Sequence, residues 1–272
     1  MSHPTLVFSH ANSYPAGCYR LLFEHWRAEG WRVEALPQFG HAPQHPVTPA
    51  WSHLVDELLG FVDARVGPEA PVALVGHSLG GLLSLMAAVR RPHQARAVVQ
   101  LDSPFIRGWR AALVRFGHLG GRRGLAHRVA PAAVAEQRRD HWPDRASLEA
   151  HFRGKALFQA WAPQVLDDYL REGFEPDPQR GGWRLRFRRE VEARIYATLP
   201  HHLSGQVRRL QAPLGFVAGT RSREMHQGGL AATRALVGPA NWREVEGTHL
   251  FPFERPIETA GTVLELLDRL AR

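Results

Sequence analysis

The chain alternates between short, continuously apolar runs and longer segments whose apolar residues recur at helical spacing. The runs "TLVFS", "WRVEAL", "VALVG" and "AVVQL" have the character of strands, and the segments between them, such as "HLVDELLGFVDARV", have that of amphipathic helices. Strands that alternate with helices in this way predict an α/β fold with a mostly parallel central sheet and helices on both faces. The alternation returns near the C-terminus with the strand-like runs "APLGFVAG" and "NWREVEG" and a closing helix.

Residues 105–200 interrupt this pattern. They contain several helix-like pieces punctuated by proline and glycine, and no convincing buried strand. We therefore predict an α/β core formed by residues 1–104 and 201–272, with a helical cap at 105–200 inserted into it. A length of 272 residues suits one large α/β domain with such an insertion.

The composition is that of a soluble globular protein, with 44% hydrophobic and 22% charged residues. No apolar run approaches the ~20 residues that a membrane-spanning helix needs. Cys18 is the only cysteine, so an intramolecular disulfide is excluded. The first residues lack the basic start and long apolar stretch of a secretion signal, and we expect a cytoplasmic protein.

The excess positive charge is concentrated in the predicted insertion. The net charge is +8, and residues 105–200 contain 18 lysines and arginines against 11 aspartates and glutamates. These arginines are scattered among acidic residues without a nucleic-acid-binding motif, so we expect no nucleic-acid partner. The excess indicates either a solvated basic surface or an attraction for an anionic substrate.

One serine lies between two glycines where a buried strand gives way to a helix. Residues 76–80 read Gly-His-Ser-Leu-Gly, between "VALV" and "GLLSLMAA". A nucleophile raised on a sharp strand-to-helix turn needs a strained backbone, and the residues two positions away must lack bulky side chains. The turn would also direct the backbone N–H of Leu79 towards an oxyanion beside Ser78. The motif predicts a catalytic serine.

The chain resembles the α/β-hydrolase superfamily over nearly its whole length. The resemblance rests on "VGHSLGG" around Ser78, on "FSHANSYP" where relatives have their oxyanion loop, on "GTHLFPFERP" near the end, and on the position of the insertion. It implies a cap-bearing bacterial serine hydrolase of undefined substrate. In this superfamily the catalytic residues follow the chain order serine, acid, histidine, which makes His249 the catalytic base.

The resemblance leaves the catalytic acid open. Most relatives have it after the strand that follows the cap, but this chain has Ser222 at that position. Asp102 lies at the end of "AVVQLD", and some relatives place the acid there, so Asp102 is the preferred candidate. Glu224, two residues beyond the vacant position, is the alternative.

The loop after the first predicted strand supplies the remaining candidates. Relatives provide the second oxyanion donor from this loop, so we expect it to be the backbone N–H of Asn12, with Ala11 as the alternative. By their positions, His10 and His77 are expected to contact the substrate. No spacing of cysteine, histidine or carboxylate residues indicates a metal site, and the chemistry implied by the resemblance requires no metal and no cofactor.

The expected function is hydrolysis of a carboxylic ester, a thioester or a similar acyl bond in a small-molecule substrate. A C–C bond hydrolase or a cofactor-free perhydrolase would use the same triad, and a non-catalytic binding protein could retain the fold. In this architecture the cap sets specificity, and some of its aromatic residues should line the pocket. The candidates are Phe105, Trp109, Phe116, Trp142, Phe152, Phe158, Trp161, Tyr169, Phe174, Trp183, Phe187 and Tyr196.

Overall fold

A six-stranded, fully parallel sheet forms the centre of the protein. The computed structural model describes residues 3–104, 130–200 and 203–272. The strands lie in the order β2-β1-β3-β4-β8-β9. They are β1 (Thr5–Ser9), β2 (Arg32–Ala35), β3 (Val72–His77), β4 (Ala95–Leu101), β8 (Leu214–Gly219) and β9 (Trp242–Val245). This architecture is the α/β fold with a mostly parallel sheet that the sequence pattern predicts.

Alternate residues of each strand pack into two hydrophobic clusters, one on each face of the sheet. In β1, Leu6 and Phe8 belong to one cluster and Val7 to the other, because successive side chains of a strand point to opposite faces. In β3, Val75 and Leu74 divide in the same way. Burial on both faces explains why these strands appear in the sequence as continuous apolar runs.

Helices cover both faces. In the core they are α1 (Arg20–Ala28), α2 (Ser52–Arg65), α3 (Leu79–Arg90), α10 (Arg223–Gly228), α11 (Leu230–Val237), α12 (Phe251–Glu254) and α13 (Pro256–Leu270). The apolar residues of α1 and α13 belong to one cluster, and those of α2 and α3 to the other. The segment between β8 and β9 forms two helices, α10 and α11, separated by Gly229, which adopts a φ of 108°.

The insertion contains strands as well as helices. Its helices in the described part are α4 (Ala130–Gln137), α5 (Arg145–Arg153), α6 (Ala156–Gln159), α7 (Pro163–Glu172) and α8 (Arg189–Ala197), and α9 (Leu203–Arg209) follows it. The insertion is not purely helical, since β5 (His141–Trp142), β6 (Phe174–Pro176) and β7 (Trp183–Leu185) form a small antiparallel sheet, although none of these strands is buried along its whole length. Strands of two or three residues are too short to show a periodicity of two in the sequence.

The domain boundaries at residues 104 and 201 stay a prediction, because the adjoining residues 105–129 and 201–202 lie outside the described part. Within the described residues, no helix is both long enough and apolar enough to cross a membrane.

One buried carboxyl group makes the stability of the core depend on pH. Glu57 of α2 is 7% exposed, and its carboxylate accepts a hydrogen bond of 2.8 Å from the backbone N–H of Gly40. Burial raises the pKa of Glu57 to about 7, although the bond from Gly40 acts in the opposite direction. A carboxyl group whose pKa is raised by folding lowers the stability of the fold as the pH rises, because ionisation is less favourable in the folded state than in the unfolded state. At low pH the group is neutral in both states and this penalty is absent.

Glu57→Gln is therefore expected to gain stability relative to the wild type as the pH rises. A glutamine side chain still accepts the bond from Gly40 but carries no charge. The difference in the free energy of unfolding should grow between pH 5 and pH 8 by up to about 3 kcal/mol in favour of the variant. Urea unfolding at several pH values measures it. The exposed Glu265→Gln serves as the control, and an equal pH dependence in both variants would contradict the prediction.

Candidate active site

Ser78 occupies a strained turn between β3 and α3. Its φ of 54° and ψ of −115° are rarely adopted by a non-glycine residue. A side chain at Gly76 would come within 2.3 Å of the backbone of Gly80, and one at Gly80 would come within 2.0 Å of the carbonyl oxygen of Ser9. Both positions require glycine because the backbone segments approach each other closely.

The Ser78 hydroxyl faces an imidazole rather than its own helix. The side chain of Ser78 does not cap α3, although the residue holds the N-cap position. Its Oγ lies 3.0 Å from Nε2 of His249, and Ser78 is partly accessible to solvent. A serine that served only as a helix cap would hydrogen-bond to a backbone N–H of the first turn. The hydroxyl is instead placed to transfer its proton to His249.

Glu254 and Thr248 together hold the backbone on both sides of His249. Its carboxylate accepts hydrogen bonds from the backbone N–H of Thr248, at 3.1 Å, and from the Thr248 hydroxyl. The Thr248 hydroxyl in turn accepts from the backbone N–H of Leu250, at 3.2 Å. This loop after β9 therefore presents the His249 ring from a fixed backbone.

Asp102 is the carboxylate that contacts His249. It is fully buried at the end of β4, with a left-handed φ of 48°, and its Oδ2 lies 2.7 Å from His249 Nδ1. The other carboxylate oxygen accepts a hydrogen bond of 2.8 Å from the backbone N–H of Gly219. Ser78, His249 and Asp102 are thus connected in a single line of hydrogen bonds.

Ser222 supports Asp102, a contact that sequence reasoning missed. Its hydroxyl donates to Asp102 Oδ2 and accepts from the backbone N–H of Met225, at 3.1 Å, as the N-cap of α10. The sequence shows only that Ser222 replaces the acid of most relatives. The structure shows that this serine holds the carboxylate supplied by the neighbouring strand.

Glu224 lies near the imidazole but does not contact it. Its side chain is exposed, and its carboxylate lies within 4.8 Å of ligand atoms of both Asp102 and His249. Within the described part of the chain, these three residues form the group whose ligand atoms are close enough to hold a metal ion. Both oxygens of Asp102 and both nitrogens of His249 already have protein partners, so a metal ion would have to displace these bonds.

The surroundings of His249 favour its protonated form. Burial alone would lower the pKa of His249. The hydrogen bond and charge of Asp102, with a further contribution from the charge of Glu224, outweigh burial and raise the pKa above its ordinary value of 6.5. An imidazole of this kind is well suited to accept a proton and to be stabilised as a cation.

The loop after β1 distinguishes the two candidate oxyanion donors. The backbone N–H of Ala11 donates a hydrogen bond of 3.2 Å to the hydroxyl of Tyr19, so it already has an acceptor. The Asn12 side chain is fixed by a bond of 3.2 Å from its Nδ2 to the carbonyl oxygen of Glu192 in α8. Asn12 therefore stays the preferred donor, together with Leu79, the first residue of α3.

The surroundings of His10 do not support the prediction that it contacts the substrate. His10 has no exposed surface, its Nε2 accepts from the backbone N–H of Phe39 at 3.0 Å, and its Nδ1 therefore donates to the carbonyl oxygen of Ala11 at 2.7 Å. Burial lowers the pKa of His10 to about 4, which keeps the ring neutral. Its role is to fix the backbone of the loop after β1.

The surroundings of His77 do not support a substrate contact either. This residue has no exposed surface, and its two ring nitrogens lie 2.8 Å from the Tyr19 hydroxyl and 2.9 Å from the carbonyl oxygen of His249. Neither nitrogen is free to bind a substrate.

Most of the described cap aromatics form a packed core rather than a pocket wall. Phe105, Trp109 and Phe116 lie outside the described residues. Trp183 and Tyr196 are partly exposed, and the other seven are buried: Trp142, Phe152, Phe158, Trp161, Tyr169, Phe174 and Phe187. Of these, Trp161 packs against residues outside the insertion: its ring centroid lies 5.7 Å from that of Tyr14 and 4.7 Å from that of Phe253.

The described part of the insertion carries little of the excess charge. Residues 130–200 contain 12 basic and 11 acidic residues, whereas residues 105–129 contain six arginines and no acid. Several described arginines pair with neighbouring acids, for example Arg138 with Glu192 at 2.6 Å and Arg184 with Glu175 at 2.7 Å. The expected attraction for an anionic substrate therefore depends on residues that lie outside the described part.

Two solved structures share this fold. One is E-2-(acetamidomethylene)succinate hydrolase, with a TM-score of 0.75 and 22% identity over 97% of this chain and 91% of that chain. The other is a thioesterase domain from the curacin biosynthetic pathway, with a TM-score of 0.73 and 17% identity over 96% and 91% of the respective chains. At these identities the likeness concerns the fold.

Sequence comparisons identify the family. The chain is similar to phospholipase YtpA of Bacillus subtilis (strain 168), with 30% identity over 106 residues. That match covers 36% of this chain and 39% of the relative, so it extends over well under two thirds of that protein. The model of the Hydrolase_4 family, described as serine aminopeptidase, S33, matches residues 2–147, more than half of the chain. The protein therefore belongs to the Hydrolase_4 family of the α/β-hydrolase superfamily.

Proposed function

We propose that the protein is a serine hydrolase that cleaves a carboxylic ester, a thioester or a similar acyl bond through an acyl-enzyme. Ser78 is the nucleophile, His249 the general base and acid, and Asp102 the residue that orients His249. One observation carries the proposal. The Ser78 hydroxyl, which does not cap α3, lies 3.0 Å from Nε2 of His249, and the other ring nitrogen of His249 lies 2.7 Å from the buried Asp102.

Acylation begins when His249 Nε2 accepts the proton of Ser78 as Oγ bonds to the carbonyl carbon. The carbonyl electron pair moves to oxygen, and the backbone N–H groups of Leu79 and Asn12 stabilise the resulting negative charge. The bond to the leaving group then breaks, and His249 returns the proton to that group.

Deacylation repeats the sequence with water as the nucleophile. His249 takes a proton from water as its oxygen bonds to the acyl carbon. Collapse of this second tetrahedral intermediate breaks the bond to Ser78 Oγ. Oγ regains its proton from His249, and a carboxylic acid is released. No step of this sequence draws on a cofactor or a metal ion.

A fluorophosphonate tests the activated serine directly. We expect one adduct per chain, formed as Ser78 Oγ displaces fluoride from phosphorus and His249 takes the hydroxyl proton. Intact mass and peptide mapping locate the adduct, which should be missing from Ser78→Ala and unchanged in Ser52→Ala, a serine at the start of α2. Wild-type protein without an adduct would support the alternative of a non-catalytic binding protein.

The rate of this labelling should rise with pH. Proton abstraction requires a neutral imidazole, and the pKa of His249 is raised, so the midpoint is expected above 6.5. Asp102→Asn removes the contribution that outweighs burial and should lower the midpoint. Stopped-assay labelling rates between pH 5 and pH 9 measure both values. A midpoint that does not respond to Asp102→Asn would contradict the assignment of His249 as the base.

The acyl group and the leaving group require a substrate panel. Nitrophenyl esters of increasing acyl length, acyl thioesters and aminoacyl nitroanilides separate esterase and thioesterase activity from peptidase activity, which the family description suggests. Activity on the nitroanilides alone would replace the ester proposal. Activity only on a C–C bond substrate or in perhydrolysis would keep the triad and change the reaction.

A further inference from the structure

A line of buried hydrogen bonds joins the loop after β1 to the loop that carries His249. The backbone N–H of Ala11 lies 3.2 Å from Tyr19 Oη, which lies 2.8 Å from His77 Nδ1, and His77 Nε2 lies 2.9 Å from the carbonyl oxygen of His249. Tyr19 and His77 have no exposed surface, so water does not compete for these contacts. The line connects parts of the chain that are far apart in sequence.

The chemistry of the end groups fixes the direction of every bond. The carbonyl oxygen of His249 only accepts, so His77 Nε2 carries a hydrogen and donates it. Burial, with the neighbouring His249, lowers the pKa of His77 well below its ordinary value, so the ring is neutral and its Nδ1 is an acceptor. Tyr19 therefore donates to Nδ1, and its oxygen accepts from Ala11. Each donor in the line therefore faces an acceptor.

The segments joined in this way are the ones that the proposed reaction uses. Ala11 precedes Asn12, the second oxyanion donor, and His77 precedes Ser78. The rings of Tyr19 and His77 both pack against Phe253, at centroid distances of 4.7 and 6.2 Å, which holds the line in one arrangement. Relative movement of the two loops would leave buried polar groups unpaired, which is costly.

We propose that His77 is a positioning residue that fixes the distance between the oxyanion loop and the catalytic base. The inference rests on the proposed function, since it concerns how the site is held together. Through Nδ1 and Tyr19 the residue holds the loop of Asn12, and through Nε2 it holds the backbone of His249. His77 itself does not contact the reacting atoms.

Two variants of His77 each remove one of its two hydrogen bonds and keep the other. In His77→Gln the amide nitrogen can replace Nε2 and keep the bond to His249, while the acceptor for Tyr19 is lost. In His77→Asn the amide oxygen can replace Nδ1 and keep the bond from Tyr19, while the donor to His249 is lost. We expect kcat to fall about 10- to 100-fold in each variant, with KM changed much less, because small displacements at a reaction centre have effects of this size.

The pH profile tells the two ends apart. His77→Asn removes one of the hydrogen bonds that hold the His249 loop and should shift the pH midpoint of kcat/KM, whereas His77→Gln should leave it near the wild-type value. Tyr19→Phe breaks the same link as His77→Gln, so the double variant should be no slower than the slower of the two single variants. Such non-additivity is the signature of residues that act as one unit.

The control separates positioning from packing. Phe23→Leu changes a buried neighbour of Tyr19 that takes no part in the line, and it should lower Tm while leaving kcat and the pH midpoint unchanged. If the His77 variants fail to fold, Tyr19→Phe provides the test, because it keeps the aromatic ring and removes only the hydroxyl that bonds to His77 and Ala11. Wild-type kcat in Tyr19→Phe and in the folded His77 variants would overturn the inference while leaving the proposed function intact. Absence of Ser78 labelling in the wild type would instead overturn the proposed function.

Discussion

Ser78→Ala is expected to lower kcat by a factor on the order of 10⁶, as removal of a triad serine does in other hydrolases. The hydroxyl provides the atom that bonds to the acyl carbon, and no described side chain shares its position 3.0 Å from His249 Nε2. Steady-state kinetics on whichever panel substrate the wild type cleaves will measure the effect. Turnover within about tenfold of the wild type would show that the chemistry takes place without Ser78.

The fold should tolerate this substitution, so the loss can be assigned to chemistry. Ser78 does not cap α3, and within the described residues its hydroxyl hydrogen-bonds to His249 alone. The melting temperature of Ser78→Ala should therefore stay close to that of the wild type. Ser84→Ala, at a buried serine within α3, is the control and should retain activity.

Asp102→Asn is expected to lower kcat by about 10⁴, as the corresponding change does in a serine protease triad. Asp102 accepts from His249 Nδ1 at 2.7 Å, and an amide nitrogen in its place would favour the wrong imidazole tautomer. The carboxylate also raises the pKa of His249, so the pH midpoint of kcat/KM should fall in the variant.

Glu224→Gln separates the two candidate acids. Glu224 is exposed and does not hydrogen-bond to His249 within the described structure, so its effect is electrostatic and weakened by solvent. We expect a decrease in kcat of less than about tenfold and a small downward shift of the pH midpoint. Near-wild-type activity in Asp102→Asn together with a collapse in Glu224→Gln would reverse the assignment of the acid.

The decrease in kcat caused by Ser222→Ala should lie between those caused by Asp102→Asn and by Glu224→Gln. Ser222→Ala removes one of the hydrogen bonds to the buried carboxylate but leaves those from Gly219 and His249. The variant therefore provides a scale for how much of the Asp102 effect depends on the orientation of the carboxylate. A loss as large as that of Asp102→Asn would show that this bond alone holds the carboxylate in place.

The sequence by itself determined the parts of this protein that depend on near neighbours in the chain. Continuous apolar runs predicted the buried parallel strands, and the glycines at 76 and 80 predicted the strained turn at Ser78, because both follow from local sterics and burial. Chain order in the superfamily pointed to His249. These expectations required no knowledge of which distant residues come together.

Only the tertiary structure decided which polar groups meet. The sequence preferred Asp102 to Glu224 without excluding either, and the contact of 2.7 Å between Asp102 Oδ2 and His249 Nδ1 supports that preference. Likewise, the backbone N–H of Ala11 donates to Tyr19, and His10 and His77 are buried with both ring nitrogens of each bonded to protein groups. The short strands of the insertion escaped prediction because two or three residues carry no periodicity. The partner of a hydrogen-bonding side chain is set by how the elements pack, and that information lies in no single segment of the sequence.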